Sequence, residues 1–360
     1  MSKGIAILGA GIFAKEAHLP ALSDLGDAAP PLKAVYSRSE KSAQDLADAA
    51  AVALNLTSPP SVYHDGDSLS NLDALLARSD ITAVIIALPI TLQPSIVVKA
   101  LAAGKHVISE KPVSPDVKQG LDLISTYNQT YKPKGLVWRI AENFEAEPGY
   151  RAAGDFIRAG KIGNVKFFKT VVINYIDKES KWYKTPWRTV PDHTIAALRV
   201  MLPHPLTHLS AFASLNKDYL KPHDTIHAIV KAGDHFTGTA ELTWAFPTES
   251  RPQADGFVIT GTDGWISVNQ IYNPGAPIIR IVAKYVHKQE GKPEEVKEEV
   301  IDIPSKGIAA ELSSFFDKIV GKDDGLGLGD PLAALGDVAF IQAALNSNGE
   351  LVDLVRLLHG

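Results

Sequence analysis

The sequence predicts an α/β protein. A doubly wound parallel sheet comes first, followed by an α+β domain on a mostly antiparallel, open sheet. Three observations carry this expectation. Ile5-Ala6-Ile7-Leu8 runs directly into Gly9-Ala10-Gly11-Ile12-Phe13-Ala14. Short β-branched runs then alternate with helical patterns as far as Trp138. Beyond Tyr150, strand-like runs follow one another across turns without helices between them.

The chain has 360 residues, enough for two or three domains with ample core. Hydrophobic residues make up 45% and charged residues 21%, the balance of an ordinary globular protein. A net charge of −5 provides no basic field for nucleic acid. There is no cysteine, which excludes disulfides, thiolate catalysis and cysteine-ligated metals and fits a reducing compartment. Met1 to Gly4 enter a strand with no signal-peptide pattern, and no apolar run is long enough to span a bilayer. The expectation is a cytoplasmic protein with no membrane partner and no direct nucleic-acid partner.

Taken in order, Ile5–Leu8 is a buried strand, and a helix through about Leu22 follows the glycines. This is a dinucleotide fingerprint with Ala14 in its third small position. Gly9 permits the tight turn, and Gly11 lets the backbone approach a pyrophosphate. Ile12 and Phe13 open the helix whose N-terminus faces the anion. Leu32–Tyr36 is the second strand, and Ser37-Arg38-Ser39 follows it. An NAD site usually carries Asp or Glu there. A hydroxyl and a guanidinium suit a 2′-phosphate instead, so NADP(H) is favoured over NAD(H). Helices are expected from Glu40 to about Ala51, from Leu72 to Ala77 and from Gln93 to Ala103. Ile81–Ala87 is a strand buried on both faces, and Leu88-Pro89 ends it at the ligand edge.

His106-Val107-Ile108-Ser109 is another short buried strand, and Glu110-Lys111-Pro112 follows it. Ligands of open parallel sheets bind at the carboxyl ends of the strands. A lysine there can reach the crevice, where burial or a neighbouring charge tunes it as a proton donor or acceptor. The competing reading is a solvated surface lysine. Asp116–Thr130 is a further helix, and Leu136-Val137-Trp138 supplies the last strand of the first half. Residues 1–135 are expected to form the dinucleotide-binding domain and 136–360 the second.

In the second half, Tyr150–Ala159 is a helix and Val165–Tyr175 a long strand. Strands are expected at Thr225–Val230, Phe236–Phe246, Phe257–Thr260, Trp265–Val268, Ile278–Val286 and Glu298–Ile303. The charge-dense Glu290–Glu299 suits a solvated hairpin tip or edge. Helices at about Ala309–Val320 and Pro331–Asn346 close the chain.

The fingerprint, the Gly-Lys-His-Val…Glu-Lys-Pro strand and the Ala159-Gly160-Lys161-Ile162-Gly163 turn resemble the glucose–fructose oxidoreductase / inositol dehydrogenase / rhizopine-catabolism family. The resemblance covers nearly the whole length. It implies hydride transfer between NAD(P) and a hydroxyl or carbonyl carbon of a small, sugar-like substrate. By the same resemblance Lys111 contacts the substrate oxygen near the nicotinamide, and Glu110 and Pro112 shape its turn. The antiparallel sheet lines the substrate site and often forms contacts between copies, so a homo-oligomer through it is implied.

The chain departs from the family in one place. The family's Gly-Gly, Asp and Gly-x-His signature maps onto the stretch from Trp187 to Arg199, where His193 takes the place of the acid/base histidine. The Gly-Gly and Asp portion is absent, and the chain is about a dozen residues shorter there. Asp192 is a poor direct partner for His193, because adjacent residues at a helix start point about 100° apart. Three readings stay open: Asp192 replaces the lost carboxylate, Asp192 only caps a helix, or part of the active site has been lost. The last would suit a rival function, a dinucleotide-binding sensor or regulator without turnover. His204 and His208 lie four apart, but Pro203 and Pro205 argue against a helix and no third ligand is in view, so no metal is expected. Trp138, Trp182 and Trp187 suit core or cleft walls better than specific contacts.

Overall fold

The computed structural model describes residues 3–181, 183, 193–249, 256–273, 276–288, 291 and 293–359. The chain divides into two compact units, 1–146 with 306–335 and 147–305 with 336–360.

Six strands form the sheet of the first unit: β1 (Gly4–Leu8), β2 (Leu32–Ser37), β3 (Ser61–His64), β4 (Ile81–Ile86), β5 (His106–Glu110) and β6 (Trp138–Ala141). Their order is β3-β2-β1-β4-β5-β6, and every pairing is parallel. The order reverses between β1 and β4, the switch point at which open parallel sheets bind ligands. All five residues of β1 are buried, as a strand covered on both faces requires. The helices of this half are α1 (Leu19–Leu25), α2 (Glu40–Ala53), α3 (Leu72–Leu76), α4 (Gln93–Ala102), α5 (Val117–Thr126) and the short α6 (Asn143–Ala146). Ser39, Asn71 and Asp116 cap α2, α3 and α5 with their side chains.

In the second unit, α7 (Pro148–Arg158) precedes β7 (Val165–Ile173) and α8 (His193–Met201). Then come β8 (His208–Ser214), β9 (Thr225–Ala232), β10 (Phe236–Thr243), β11 (Gly256–Gly261), β12 (Gly264–Asn273), β13 (Ala276–His287) and β14 (Glu295–Pro304). The chain returns to the first unit with α9 (Gly307–Ile319), and α10 (Pro331–Asn346) leads to β15 (Val352–Asp353) and α11 (Leu354–His359). The second sheet has nine strands, ordered β14-β13-β12-β11-β7-β10-β9-β8-β15. Its pairings are antiparallel except β7 with β10. α7 packs on β12, β13 and β14, where Gly149 lets its backbone lie against Ile279. On the other face, Ser210, Ile229, Thr239, Lys169, Val258, Ser267, Val282 and Val300 form one row across eight strands. Ile229, Val258 and Val300 are exposed there, as are Phe167, Phe212 and Trp265 in the sheet around them.

Several expectations change in detail. The break after residue 135 is replaced by a discontinuous first unit. Leu312, Phe315 and Phe316 of α9 are buried in one cluster with Ile5, Ile7, Ile85, Ile108 and Ala141, so the helix belongs to that core. The last parallel strand begins at Trp138, not Leu136. The helix after the fingerprint opens with a π-turn over Ala14–His18 and runs to Leu25, not Leu22. β3 and β8 were not expected. β3 has only four residues and none is fully buried, while β8 buries only Leu209 and Ala211 and leaves Phe212 exposed. β14 is the sheet edge, and it carries the charge-dense Glu295–Glu299.

Candidate active site

The carboxyl ends of β1 and β4 meet at Gly9. This residue has φ of +114°, and a Cβ there would lie 2.2 Å from the carbonyl oxygen of Ala87. Glycine is therefore required twice over, by conformation and by space. Its N–H donates to the carbonyl of Tyr36 over 2.8 Å, which ties the turn to β2. Gly11 differs: a Cβ there would meet nothing within 4 Å. No protein atom demands that glycine, and the open space beside it is what a pyrophosphate needs in order to reach the backbone. Ile12 and Phe13 are half-buried at the helix start, and Ala14 is fully buried. Leu88 lies across from Gly9, within 3.3 Å of the position a Cβ would take, and Pro89 follows it, half-buried. The cradle fits a dinucleotide.

At the end of β2, Ser37 is half-buried and Arg38 exposed. The sequence pattern supplies no carboxylate here, yet β3 brings one nearby. Asp65 accepts a hydrogen bond from the Tyr36 hydroxyl at 2.7 Å, and its backbone N–H donates to the Arg38 carbonyl at 3.3 Å. Burial, and then Asp65, push the Tyr36 hydroxyl pKa up, so the phenol stays a donor.

The end of β5 is tied from several sides. His18 Nε2 donates to Glu110 Oε1 over 2.7 Å, and His18 is wholly buried. Gln93 Nε2 donates to the Glu110 carbonyl at 3.0 Å. Trp138 Nε1 donates to Ser109 Oγ at 3.1 Å. Lys111, half-buried, follows immediately. Glu110 pairs in register with Ala141, the last residues of the two strands. Glu142 and Glu145 are both buried, and Glu145 Oε2 accepts from the Gly329 N–H at 3.0 Å. A fourth carboxyl, Glu311, arrives on α9 and is 4% exposed. Neither of its oxygens has a hydrogen-bond partner among the described residues. Burial, and then the charges of Glu110, Glu142 and Glu145, raise its pKa well above the usual value near 4.5, while Lys111 pulls the other way.

Gly9, Gly11, Leu88, Pro89, Glu110 and Lys111 thus share the carboxyl edge of one parallel sheet, and Ser37 and Arg38 lie at the same edge on β2. His193 begins α8, but its side chain and residues 184–192 lie outside the described residues. The expectations for Asp192, Trp182 and Trp187 fall there too, as does the separation of Lys111 from His193. The ring of His204 stacks on His235 with centroids 3.6 Å apart, whereas His208 starts β8. Among the described residues no group of three or more His, Cys, Asp or Glu is arranged for a metal ion. His18, Glu142, Glu145 and Glu311 were not singled out in the sequence. A glutamate beside Leu312 on the apolar stripe of α9 was the signal available for Glu311.

Two family models match the chain. One, described as an oxidoreductase family with an NAD-binding Rossmann fold, covers residues 3–133. The other, the GFO/IDH/MocA C-terminal domain, covers residues 150–267. A dehydrogenase of Fusarium mangiferae is 36% identical over 96% of both chains. A dTDP-3,4-didehydro-2,6-dideoxy-alpha-D-glucose 3-reductase of Streptomyces violaceoruber is 26% identical over 98% of this chain and 94% of its own. The crystal structure of an oxidoreductase from Thermotoga maritima matches with a TM-score of 0.79 at 28% identity, over 99% of this chain and 100% of that one.

The raised pKa of Glu311 has a sign that stability measurements can read. The folded chain keeps a proton that the unfolded chain gives up above about 4.5. Stability from the neutral carboxyl is complete below that pH and declines as pH rises toward the folded value. Glu311→Gln removes the decline. Calorimetry from about pH 5 to about pH 8 should show the unmodified protein losing Tm relative to the variant. Parallel Tm curves would contradict the assignment.

Proposed function

The chain belongs to the GFO/IDH/MocA family of oxidoreductases, and from that premise we propose that it is an NADP(H)-dependent enzyme acting on the hydroxyl or carbonyl carbon of a sugar-like small molecule. The observation that carries this reading is the presence of the glycine cradle and Lys111 on one carboxyl edge of the first sheet. The cofactor, when bound, supplies or takes the hydride. The backbone of Gly9, Gly11, Ile12 and Phe13 would hold its pyrophosphate. Ser37 and Arg38 would hold the 2′-phosphate, and Leu88, Pro89 and Glu110 would wall the nicotinamide end. Lys111 would keep its ammonium against the substrate oxygen and exchange the proton there, with His193 as a second acid/base group. The reductase of Streptomyces violaceoruber, matched almost end to end, supports a sugar-type substrate.

Arg38→Asp tests the cofactor choice. A bidentate charge-assisted contact is worth about 1.5–3 kcal/mol, or roughly tenfold to over a hundredfold in affinity. NADPH affinity should fall by that factor, and the variant should prefer NADH. Equal binding of NADH and NADPH by the unmodified protein, followed by fluorescence titration, would sink the assignment.

Lys111→Ala tests the chemistry. Turnover, followed by NADPH absorbance across sugars, polyols and their carbonyl forms, should vanish while cofactor affinity stays within a few-fold. General acid/base groups contribute about 10²–10⁴-fold each. With the Gly-Gly and Asp segment absent, the unmodified protein should turn over ordinary sugars below the enzyme median of about 10 s⁻¹. A faster rate would mean that another group has taken over the lost carboxylate's work.

We also propose that copies of the chain associate through the exposed face of the second sheet. The apolar side chains along it support this, since contiguous exposed apolar surface marks contact sites. Ile229→Lys with Val258→Lys should lower the mass seen by analytical ultracentrifugation. An unmodified protein that is already monomeric would refute this arrangement.

A further inference from the structure

Two polar side chains of the first unit are buried at a cost that packing does not explain. His18 is 0% exposed, and its Nδ1 is enclosed with no hydrogen-bond partner among the described residues. Gln93 is 2% exposed, and its Oε1 is enclosed in the same way. An enclosed polar atom without a partner costs stability, and a leucine would fill either place without that cost. The two residues come from different elements. His18 ends the π-turn after the glycines, a rare kind of turn found often at functional sites. Gln93 opens α4, just before Pro94. Yet both direct their remaining group at one residue. His18 Nε2 donates to the Glu110 carboxylate at 2.7 Å, and Gln93 Nε2 donates to the Glu110 carbonyl at 3.0 Å. A carbonyl can only accept, so the Gln93 amide must present its nitrogen there. The His18 ring also stands edge-on to Phe13, with centroids 5.5 Å apart.

We propose that His18 and Gln93 are positioning residues for Glu110, and that they set how tightly the chain holds the nicotinamide half of its cofactor. The inference rests on the place proposed for Glu110 at the nicotinamide end. β5 stops at Glu110, so beyond it no strand pairing restrains the main chain. Untied, the carboxylate and the peptide leading to Lys111 would each sample several orientations, and binding would have to order them. With carboxylate and carbonyl both fixed, that ordering is complete once the chain has folded. The Glu110 side chain still keeps 11% of its surface exposed, so it is held without being closed off. The effect is local. Ser37 and Arg38, proposed for the adenosine end, lie on β2, with β1 and β4 between them and β5. Neither hydrogen bond reaches that end.

Fluorescence titration of the full chain with NADPH, and with 2′,5′-ADP as its adenosine half, separates the two ends. His18→Leu and Gln93→Leu should each weaken NADPH by about tenfold or more and leave 2′,5′-ADP within about twofold. His18→Gln, which can carry an N–H donor toward the Glu110 carboxylate, should recover most of the NADPH loss. Gln93→Leu leaves that carboxylate its donor and decides the matter alone if His18→Leu fails to fold. NADH and ADP take the places of the two ligands if the chain prefers the cofactor without a 2′-phosphate. Equal losses for whole cofactor and adenosine half overturn the inference, because a merely structural role weakens both alike. Unchanged NADPH affinity in the leucine variants overturns it too, since Glu110 would then need neither tie. If neither ligand saturates the unmodified chain, the dinucleotide reading itself falls, and this inference falls with it.

Discussion

Glu110 is taken out of water at the end of β5, and the hydrogen bond from His18 makes that burial tolerable. Buried carboxylates without partners are expensive, and one removed from its donor would pull its strand end toward solvent. The donor stands 92 residues earlier in the chain, in the π-turn that follows the glycines. One contact therefore fixes the two halves of the candidate site against each other, the turn suited to a pyrophosphate and the segment carrying Lys111. Gln93 secures the same residue by its carbonyl, so Glu110 is held by both main chain and side chain.

The rest of the carboxyl edge follows from this anchoring. With Glu110 fixed, its pairing with Ala141 fixes where β5 and β6 both end. Glu145 is satisfied by the Gly329 N–H, whereas Glu311 has no donor among the described residues.

The parallel sheet was largely legible because its strands are continuous apolar runs and its helices carry side-chain caps at Ser39, Asn71 and Asp116. Gly9 and Gly11 stood out because they follow a strand and open a helix, whereas Lys111 stood out only through its place after β5 and the family resemblance, since a lysine alone is as readily a solvated one. His18 was not, since its partner Glu110 is 92 residues away, and Glu311 gave only the weak signal of a glutamate beside Leu312 on the apolar stripe of α9. β8 was missed for a related reason: with only Leu209 and Ala211 buried, its pattern is too weak to stand out until β9 is beside it. Asp65 escaped because β3 is short and its residue acts across a strand pair rather than along the motif.

The discontinuity of the first unit also orders events in the life of the chain. All six parallel strands leave the ribosome before residue 147, yet the face covered by Leu312, Phe315 and Phe316 has no cover until residues beyond 306 have been made. During the synthesis of some 160 intervening residues, a bare apolar surface waits on a nascent domain that is otherwise ready to close. The unit begun first is covered only after most of the second has been made, and the helix that covers it also carries Glu311. A chain interrupted before that helix would lack both the cover of its core and the last member of its buried charge group.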